Sequence, residues 1–509
     1  MNEVTDKLLG ISIDPVLSFK QKAHYLATEA DALLPYFPLS EELKLAMEQG
    51  TVCDLHEGHA PYKPRYVLPD YGKFLNEGSA YLELEAPEDF DEALNCLSIL
   101  YHHVPSVTGM PVFLGHLDQI LLPFVKGLSE EQIYKKLRLF WIMLDRTLPD
   151  AFVHVNIGPE DNVICRAILK IDAELKQIVP NLTFMYDPAV TSDDLLRVVT
   201  ANICECSKPH VANYPMHRDT FDEQGFGIVS CYNSLPLAGG ANTLVRLNLK
   251  NVAEQSASVD GFFESALPRF AKLVFELIEL RTAFLHEQSG FFDSFLVHEG
   301  LIGEKRFAPM YGVFGMAEAV NILAAKEGRT DRYGHQPWAN DLGCKISSAL
   351  EKIVSAKKLK YAWRNMALLH SQAGLSSDKG VTPGVRIPYG DEPDPVEHIK
   401  ALSRHHQYYP SGVSEILTID ETVKSNTEAM FQLCKGALAL GLREFTANVS
   451  SNDLVRVTGF MIKLSDIKKF NEEGSRKNTT CLGAEAAETV GILKRVPRVI
   501  SYELASGER

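Results

Sequence analysis

Residues 454–464 read LVRVTGFMIKL, an apolar run that has the pattern of a β-strand except for one internal glycine. That glycine, Gly459, is followed by 50 further residues. A glycine inside a strand has no side chain to pack, and it commonly marks a bulge, a tight bend or a close backbone approach. A second interpretation is that the chemistry at this position requires the absence of a side chain. Both interpretations stay open on this run alone.

The composition is that of a globular protein with a large hydrophobic core. The sequence has 509 residues, of which 45% are apolar and 23% are charged. These fractions exclude an intrinsically disordered chain. Lys and Arg number 51 and Asp and Glu number 66, so the net charge is −15. A net negative charge repels nucleic-acid phosphates, so we expect no nucleic-acid partner.

The cysteines and the N-terminus both favour a cytoplasmic protein. Nine cysteines are too few for a disulfide scaffold of this length, and their odd number leaves at least one free thiol as a candidate catalyst. The N-terminus is polar and lacks the basic and apolar regions of a signal peptide. No apolar run approaches the roughly 18 residues that a membrane span requires. We therefore expect no membrane segment.

Short strands alternate with helices through most of the sequence. Residues 151–158, AFVHVNIG, alternate and end in glycine, as a strand does, and residues 184–186 predict another strand. Helices are predicted over 90–103, from Ser129, where two acidic residues follow a capping serine, and from Ser192. The alternation predicts βαβ units and a parallel sheet with functional residues at the strand ends.

Three segments resemble the glycyl radical enzymes, and they occur in the order found in that family. Residues 456–460, RVTGF, are similar to the radical-bearing loop, in which Arg-Val and a small residue precede glycine and an aromatic residue follows. Residues 115–144, with the motifs GHLDQI, PF and LFWIML, resemble scaffold helices of the family. Residues 230–234, SCYNS, resemble the cysteine loop and put Cys231 at the position of the thiyl cysteine. The chain is thereby identified as a member of the family.

This resemblance implies the fold and its division along the chain. The family fold is a ten-stranded β/α barrel of two parallel half-barrels surrounded by helices, with the cysteine and glycine loops meeting inside. We expect an N-terminal helical region over 1–105, the barrel with the cysteine loop over 106–440, and a C-terminal radical segment over 441–509.

The resemblance also implies a mechanism and its partners. Gly459 would store a glycyl radical, and Cys231 would become a thiyl radical that removes hydrogen from a small-molecule substrate. No cofactor would be bound beyond this modification. The radical would come from a separate S-adenosylmethionine-dependent activating enzyme that carries a [4Fe–4S] cluster. Because the family is commonly dimeric, the resemblance allows a homodimer.

The chemistry explains why these two residue types are needed. Without a Cβ, the Gly459 Cα can become planar, so that the neighbouring amide and carbonyl groups delocalise the unpaired electron. The S–H hydrogen of Cys231 can pass to that carbon and back at modest cost. Such a relay requires the two residues side by side in a closed cavity that excludes side reactions.

The sequence departs from three better-known branches of the glycyl radical enzymes. Ser230 and Tyr232 flank Cys231, so the second adjacent cysteine of pyruvate formate-lyase is missing. Asn233 stands where diol dehydratases carry a glutamate base, and an amide cannot take up a proton at neutral pH. Only Cys481 follows Gly459, whereas anaerobic ribonucleotide reductases have four zinc-binding cysteines there. The best match is the YjjI-type branch, which leaves the substrate and reaction open.

Five polar residues are candidate substrate contacts. His154 and Asn156 alternate on a predicted strand, His217 precedes the cysteine loop and Asn233 follows it. Arg386 lies in a Pro/Gly-rich loop, where a guanidinium could hold a carboxylate or phosphate through two hydrogen bonds. A purely structural role is the alternative for each of the five.

No metal site is expected. Cys204 and Cys206, with His210 and His217 nearby in sequence, could suggest zinc. A Cys-x-Cys pair without a second pair is a poor structural zinc motif, so we favour residues without a metal.

Two non-radical functions stay open as alternatives. One is an α/β scaffold or binding protein that has lost catalysis. The other is a conventional lyase that uses His217 and Asp219 as acid and base. Such a lyase would be active in air without an activating enzyme, which separates it from the radical mechanism.

Overall fold

A computed structural model gives the fold of the 509-residue chain. It describes residues 3–473 except 16, 32, 34–36, 55–62, 109–111, 149–151, 231, 376–377 and 458–460. Cys231, Gly459 and Cys481 therefore lie outside the described residues. The segments on both sides of Cys231 and Gly459 are described.

The chain forms sixteen described strands and nineteen described α-helices. The strands are β1 Val52–Asp54, β2 Tyr66–Leu68, β3 Val112–His116, β4 Val153–Ile157, β5 Asn181–Tyr186, β6 His210–Asn213, β7 Phe226–Val229, β8 Asn233–Pro236, β9 Gly239–Ala241, β10 Leu244–Asn248, β11 Met310–Phe314, β12 Leu368–Ser371, β13 Ile416–Ile419, β14 Glu444–Val449, β15 Leu454–Arg456 and β16 Met461–Lys463. The helices are α1 Glu3–Ile13, α2 Phe19–Asp31, α3 Glu41–Glu48, α4 Tyr71–Glu77, α5 Phe90–Thr108, α6 Leu117–Leu121, α7 Glu130–Arg146, α8 Val163–Leu175, α9 Asp193–Cys206, α10 Tyr214–Arg218, α11 Leu249–Glu254, α12 Val259–Gly261, α13 Leu267–Glu287, α14 Phe295–His298, α15 Met316–Lys326, α16 Pro337–Ala356, α17 Pro395–His406, α18 Thr427–Ala439 and α19 Leu464–Glu473.

Two sets of parallel strands meet along one antiparallel edge. In the first set, β3, β4, β5 and β6 are neighbours and run parallel. In the second set, β10, β11 and β12 run parallel, and β13 runs parallel to β14. A parallel bridge between Ser371 and Val413 connects β12 to the segment that leads into β13. The sets join where β14 pairs antiparallel with β6.

The helices cover the outer faces of these strands and form two large apolar clusters. One cluster surrounds β3–β6 and includes Trp141 of α7 and Leu169 of α8. The other surrounds β10–β12 and includes Phe270 of α13 and Val320 of α15. The prediction of a helix from Ser129 is confirmed, because its side chain accepts from the backbone of the third helical residue in a capping box.

Two antiparallel hairpins accompany the parallel strands. β7 pairs with β8 so that Val229 lies opposite Asn233, and these residues enclose the sequence position of Cys231. β15 pairs with β16 so that Arg456 lies opposite Met461, and these residues enclose the position of Gly459. We call them the cysteine hairpin (226–236) and the glycine hairpin (454–463).

The predicted division at residues 105 and 440 stays a prediction. β14, which falls in the predicted C-terminal segment, pairs with β6 and with β13. Among the described helices, none is both long and apolar enough to cross a lipid bilayer.

Candidate active site

An asparagine on β4 holds the cysteine hairpin. The Asn156 side chain accepts from the backbone N–H of Ile228 at 2.8 Å and donates to its carbonyl at 2.9 Å. Both residues are buried, so this pair of bonds replaces backbone partners that β7 lacks on that side. Asn156 thus fixes the hairpin against the first set of strands, and its predicted contact with substrate stays a prediction.

An asparagine on β14 holds the glycine hairpin in the same way. The Asn448 side chain accepts from the backbone N–H of Arg456 at 2.9 Å and donates to its carbonyl at 2.7 Å. The Arg456 guanidinium is buried and donates to the Asn181 side-chain oxygen at 3.1 Å. Asn181 also donates to His154 Nε2 at 2.9 Å, so the chain of contacts reaches β4.

The described parts of the two hairpins contact each other through a tyrosine and two arginines. The Arg456 guanidinium lies 5.5 Å from the ring centre of Tyr232, the residue after Cys231. The Arg386 guanidinium lies 6.0 Å from the same ring and donates to the Val457 carbonyl at 3.4 Å. Cation–π contacts act over this range. The residue after Cys231 therefore lies close to the segment that ends two residues before Gly459.

One polar face of β14 runs between these hairpins. Glu444, Thr446 and Asn448 alternate along β14 and so point to the same side. Thr446 accepts from the Tyr232 hydroxyl at 3.0 Å, and Asn448 holds Arg456. This face therefore touches the cysteine hairpin at one end and the glycine hairpin at the other.

Glu444 is enclosed by the cysteine hairpin and two histidines. Its Oε1 accepts from the Val413 backbone at 2.6 Å, and its Oε2 lies 3.6 Å from His210 Nε2 and 3.9 Å from His217 Nε2. Burial raises the pKa of Glu444 well above its usual value, although the Val413 hydrogen bond acts in the opposite direction. Burial lowers the pKa of both histidines well below the usual value. Burial thus disfavours the charged form of all three groups.

A glycine makes this close arrangement possible. Gly412 has a φ of +101°, which L side chains rarely adopt. A Cβ added there would overlap both the Tyr232 carbonyl oxygen and Glu444 Oε1. Glu444 and the backbone of the cysteine hairpin therefore lie against the same point of the chain.

The other predicted site residues lie close to the same hairpins. His217 Nδ1 is 2.8 Å from the Ser234 hydroxyl on β8. Asn233 donates to the Val229 carbonyl at 3.0 Å, across the hairpin. Burial lowers the pKa of His154 well below the usual range, and Arg456 acts in the same direction. The substrate roles of His154, His217, Asn233 and Arg386 stay predictions.

A cavity of about 350 Å³ adjoins the glycine hairpin. Arg386, Arg456 and Asn448 line it together with the carboxylates of Glu318 and Asp378. Its apolar wall contains Leu375, Val381, Ile387 and Ile416. The Pro/Gly-rich loop that contains Arg386 therefore supplies part of a cavity that is large enough for a small molecule.

Cys204 and Cys206 lie apart from the hairpins, on α9. The Cys206 thiol contacts the Asn202 carbonyl at 3.3 Å within the helix, and the Cys204 thiol faces the Val423 carbonyl at 4.0 Å. Burial raises the pKa of the Cys204 thiol to about 11. In the described part of the chain, no three His, Cys, Asp or Glu side chains are grouped so that they could hold a metal ion.

Sequence comparison assigns the family. The family model described as "Glycyl radical enzyme YjjI-like" matches residues 17–498. The chain is a member of the YjjI-like glycyl radical enzyme family. It is 58% identical over 503 residues to the Escherichia coli K12 protein described as "Uncharacterized protein YjjI", with coverage of 99% of this chain and 98% of that protein. A Haemophilus influenzae protein is 38% identical over 456 residues, with 88% coverage of both.

Structural comparison confirms the predicted fold of this glycyl radical enzyme. A hydroxyproline dehydratase from Clostridioides difficile superposes with a TM-score of 0.73 at 12% identity, covering 96% of this chain and 88% of that one. An anaerobic ribonucleotide reductase superposes with a TM-score of 0.74 at 12% identity, covering 92% and 91%. The two sets of parallel strands are therefore the half-barrels of the ten-stranded β/α barrel.

Proposed function

We propose that Gly459 stores a glycyl radical and that Cys231 is the thiyl residue that removes hydrogen from a small-molecule substrate. Membership of the glycyl radical enzymes supports radical catalysis in general. The specific assignment rests on sequence position, because Cys231 is followed at once by Tyr232 and Gly459 comes two residues after Val457.

The observation that carries this proposal is that Tyr232 of the cysteine hairpin lies against Arg456 of the glycine hairpin and against Arg386. Arg456 faces the Tyr232 ring, and Arg386 touches that ring and the Val457 carbonyl. A hydrogen atom can pass between a sulfur and a carbon only when the two atoms are in contact, and enclosure suppresses side reactions. Convergence of the neighbouring residues is what such a transfer requires.

The radical is proposed to arrive from a separate activating enzyme. Glycyl radical enzymes are generally activated by radical S-adenosylmethionine enzymes, and the same class of partner is proposed for this chain. The [4Fe–4S] cluster belongs to that partner, and this chain would carry only the radical modification at Gly459. The substrate enters this mechanism as a hydrogen donor, and the cavity beside the glycine hairpin is its proposed site.

A conventional acid–base lyase finds less support in the geometry. His217 is buried, whereas Asp219 is exposed and accepts from the Arg218 guanidinium at 3.2 Å. The two side chains of that alternative therefore occupy different environments. The glycyl radical function is the one that the arrangement favours.

The test is anaerobic activation followed by exposure to oxygen. The protein is incubated with the activating enzyme of its own organism, S-adenosylmethionine and a reductant, and an electron paramagnetic resonance (EPR) doublet is expected from the single hydrogen left on the glycyl carbon. Oxygen adds to a carbon radical, so exposure should cut the chain at Gly459 and release the 50 residues that follow.

The matched control is Gly459→Ala, which crowds the planar radical and should give neither the doublet nor the cut. A wild-type protein that forms no doublet and stays full-length after oxygen exposure would overturn the proposal. Activity in air without activation would favour the conventional lyase instead.

A further inference from the structure

A line of three titratable groups connects β6, α10 and β14 to the cysteine hairpin. The His210 ring packs edge-on against the Tyr232 ring, with centroids 4.7 Å apart. His217 Nδ1 contacts Ser234 at 2.8 Å. Glu444 lies between the two imidazoles, at 3.6 Å and 3.9 Å. Both histidines thus touch the hairpin within three residues of Cys231, and Glu444 joins them.

The facing atoms of these groups are buried and have no other hydrogen-bond partner among the described residues. They are Glu444 Oε2, His210 Nε2 and His217 Nε2. Leaving such atoms unpaired costs free energy, so native proteins rarely keep them without a reason. Three such atoms in one buried group indicate a site at which a proton can be exchanged.

The outer nitrogen of each imidazole contacts a hydroxyl group, which can either accept from it or donate to it. His210 Nδ1 lies 3.2 Å from the Thr183 hydroxyl, and His217 Nδ1 lies 2.8 Å from the Ser234 hydroxyl. A neutral imidazole carries one N–H, and placing it on Nδ1 satisfies both contacts and leaves Nε2 as an acceptor. In that tautomer, the protonated form of Glu444 can direct its Oε2–H toward the two acceptors.

We infer that Glu444, His217 and Ser234 form a proton relay that serves the Cys231 end of the cysteine hairpin. In one step, Glu444 Oε2–H gives its proton to His217 Nε2, His217 Nδ1–H gives its proton to Ser234 Oγ, and Ser234 O–H gives its proton to a thiolate at the Cys231 end of the hairpin, which becomes a thiol. The net change is one proton moved and one carboxylate formed, and reversal restores both. No oxidant or reductant is needed.

The relay supplies what the cysteine loop itself lacks. Asn233 cannot take up a proton, so the loop has no base at that position. Glu444 enters from β14, more than 200 residues later in the sequence, and reaches the hairpin only because the strand sets join at β6 and β14. The distances of 3.6 Å and 3.9 Å shorten to hydrogen-bond length with shifts of about 1 Å.

The test follows exchange of the radical hydrogen with solvent, which needs no substrate. This inference rests on the proposed pairing of Cys231 and Gly459. In heavy water the Cys231 S–H becomes S–D by proton exchange, and the deuterium then passes to the Gly459 carbon as the hydrogen atom shuttles. The EPR doublet collapses to a singlet at a rate that includes the proton exchange.

Glu444→Gln keeps the shape and the Val413 hydrogen bond but cannot release a proton. We expect normal radical yield and a collapse slowed by about 100-fold, the lower end of what a positioned acid–base group contributes. Ser234→Ala removes the last relay atom with little change in volume and should slow the collapse as well. If Glu444→Gln or Ser234→Ala keeps the wild-type rate, the relay is wrong.

Glu415→Gln is the matched control. Glu415 is as buried as Glu444, pairs with His398 at 3.1 Å on α17 and is not a member of the relay. Its collapse rate should equal that of the wild type, and an equal slowing in Glu415→Gln would also overturn the relay. A wild type without any doublet would instead refute the proposed function, so the two failures are distinguishable.

Discussion

The cysteine hairpin and the glycine hairpin are held by the same device but embedded differently. Asn156 fixes Ile228 and Asn448 fixes Arg456, each through the backbone N–H and carbonyl of one residue. The cysteine hairpin belongs to the large cluster around β3–β6. In the glycine hairpin, Leu454 and Met461 belong to that same large cluster, whereas Val455 and Ile462 form a small separate cluster with Val457 and Ile467.

The cysteine hairpin is therefore held more firmly in the main core than the glycine hairpin. Beyond Asn156, the cysteine hairpin is bonded at Ser234 to Ser411 in both directions and at Tyr232 to Thr446. A segment that packs only partly in the main core can open locally at a lower cost in free energy than one that packs wholly in it. We therefore expect the glycine hairpin to open more readily than the cysteine hairpin.

The largest expected effect comes from replacing the side chain that holds the cysteine hairpin. Asn156→Leu leaves the N–H and carbonyl of Ile228 buried without partners, and each orphaned group costs about 1–3 kcal/mol. The free energy of unfolding should fall by about 2–6 kcal/mol, counting both groups. Urea unfolding followed by circular dichroism measures this change.

Asn448→Leu is the matched substitution at the glycine hairpin. It should lower the global free energy of unfolding less than Asn156→Leu, because part of the glycine hairpin packs in the small cluster and not in the main core. Limited proteolysis should instead cut within residues 454–473 much faster than in the wild type. Equal destabilisation by Asn156→Leu and Asn448→Leu would remove the distinction between the hairpins.

An intermediate effect concerns the free energy of unfolding at acid pH, to which His370 contributes beside Ser411. His370 Nδ1 donates to the Ser411 carbonyl, and burial lowers the pKa of His370 to about 4. Unfolded histidine has a pKa of about 6.5, so the unfolded chain takes up a proton first as the pH falls. The stability contribution is complete above pH 6.5 and is lost at about 1.4 kcal/mol per pH unit as the pH falls toward 4.

His370→Gln should therefore flatten the pH dependence of unfolding by about this slope between pH 6 and pH 4. Urea unfolding at several pH values, with wild type and variant side by side, measures the difference in slope. Identical slopes would mean that His370 is protonated at its usual pKa in the folded protein.

The smallest expected effect sharpens the role of Tyr232. Tyr232→Phe removes the hydroxyl that donates to Thr446 at 3.0 Å but keeps the ring between Arg456 and His210. The free energy of unfolding should fall by about 1 kcal/mol, the usual net value of one hydrogen bond. The EPR doublet of the activated protein should be unchanged, and a lost doublet would assign the hydroxyl a direct role.

Much of the fold could be predicted because its signals are local. The helix after Ser129 and the strand over 153–157 follow from capping and alternation within a few residues. The closed barrel could not be derived this way, because the antiparallel junction of β14 with β6 joins residues more than 200 positions apart. That part of the prediction came from the resemblance of three segments to a family.

The site was predicted only where a motif marked it. Cys231, Gly459 and His217 were named from the sequence, whereas Glu444 and Asn448 were not. A usable signal existed, because Glu444, Thr446 and Asn448 alternate with apolar residues in a strand that is buried on both faces. Buried polar residues on one strand face indicate partners, but only the three-dimensional fold identifies those partners as the two hairpins.

Deuterium exchange into the glycyl radical of wild type and Cys231→Ala tests the central claim most directly. Both proteins are activated anaerobically and transferred to heavy water, and their EPR spectra are followed with time. The proposed pairing of Cys231 with Gly459 predicts equal radical yields, collapse of the doublet in the wild type and a persistent doublet in Cys231→Ala. Collapse at the same rate in both proteins would contradict it, because hydrogen would then reach Gly459 without the Cys231 thiol.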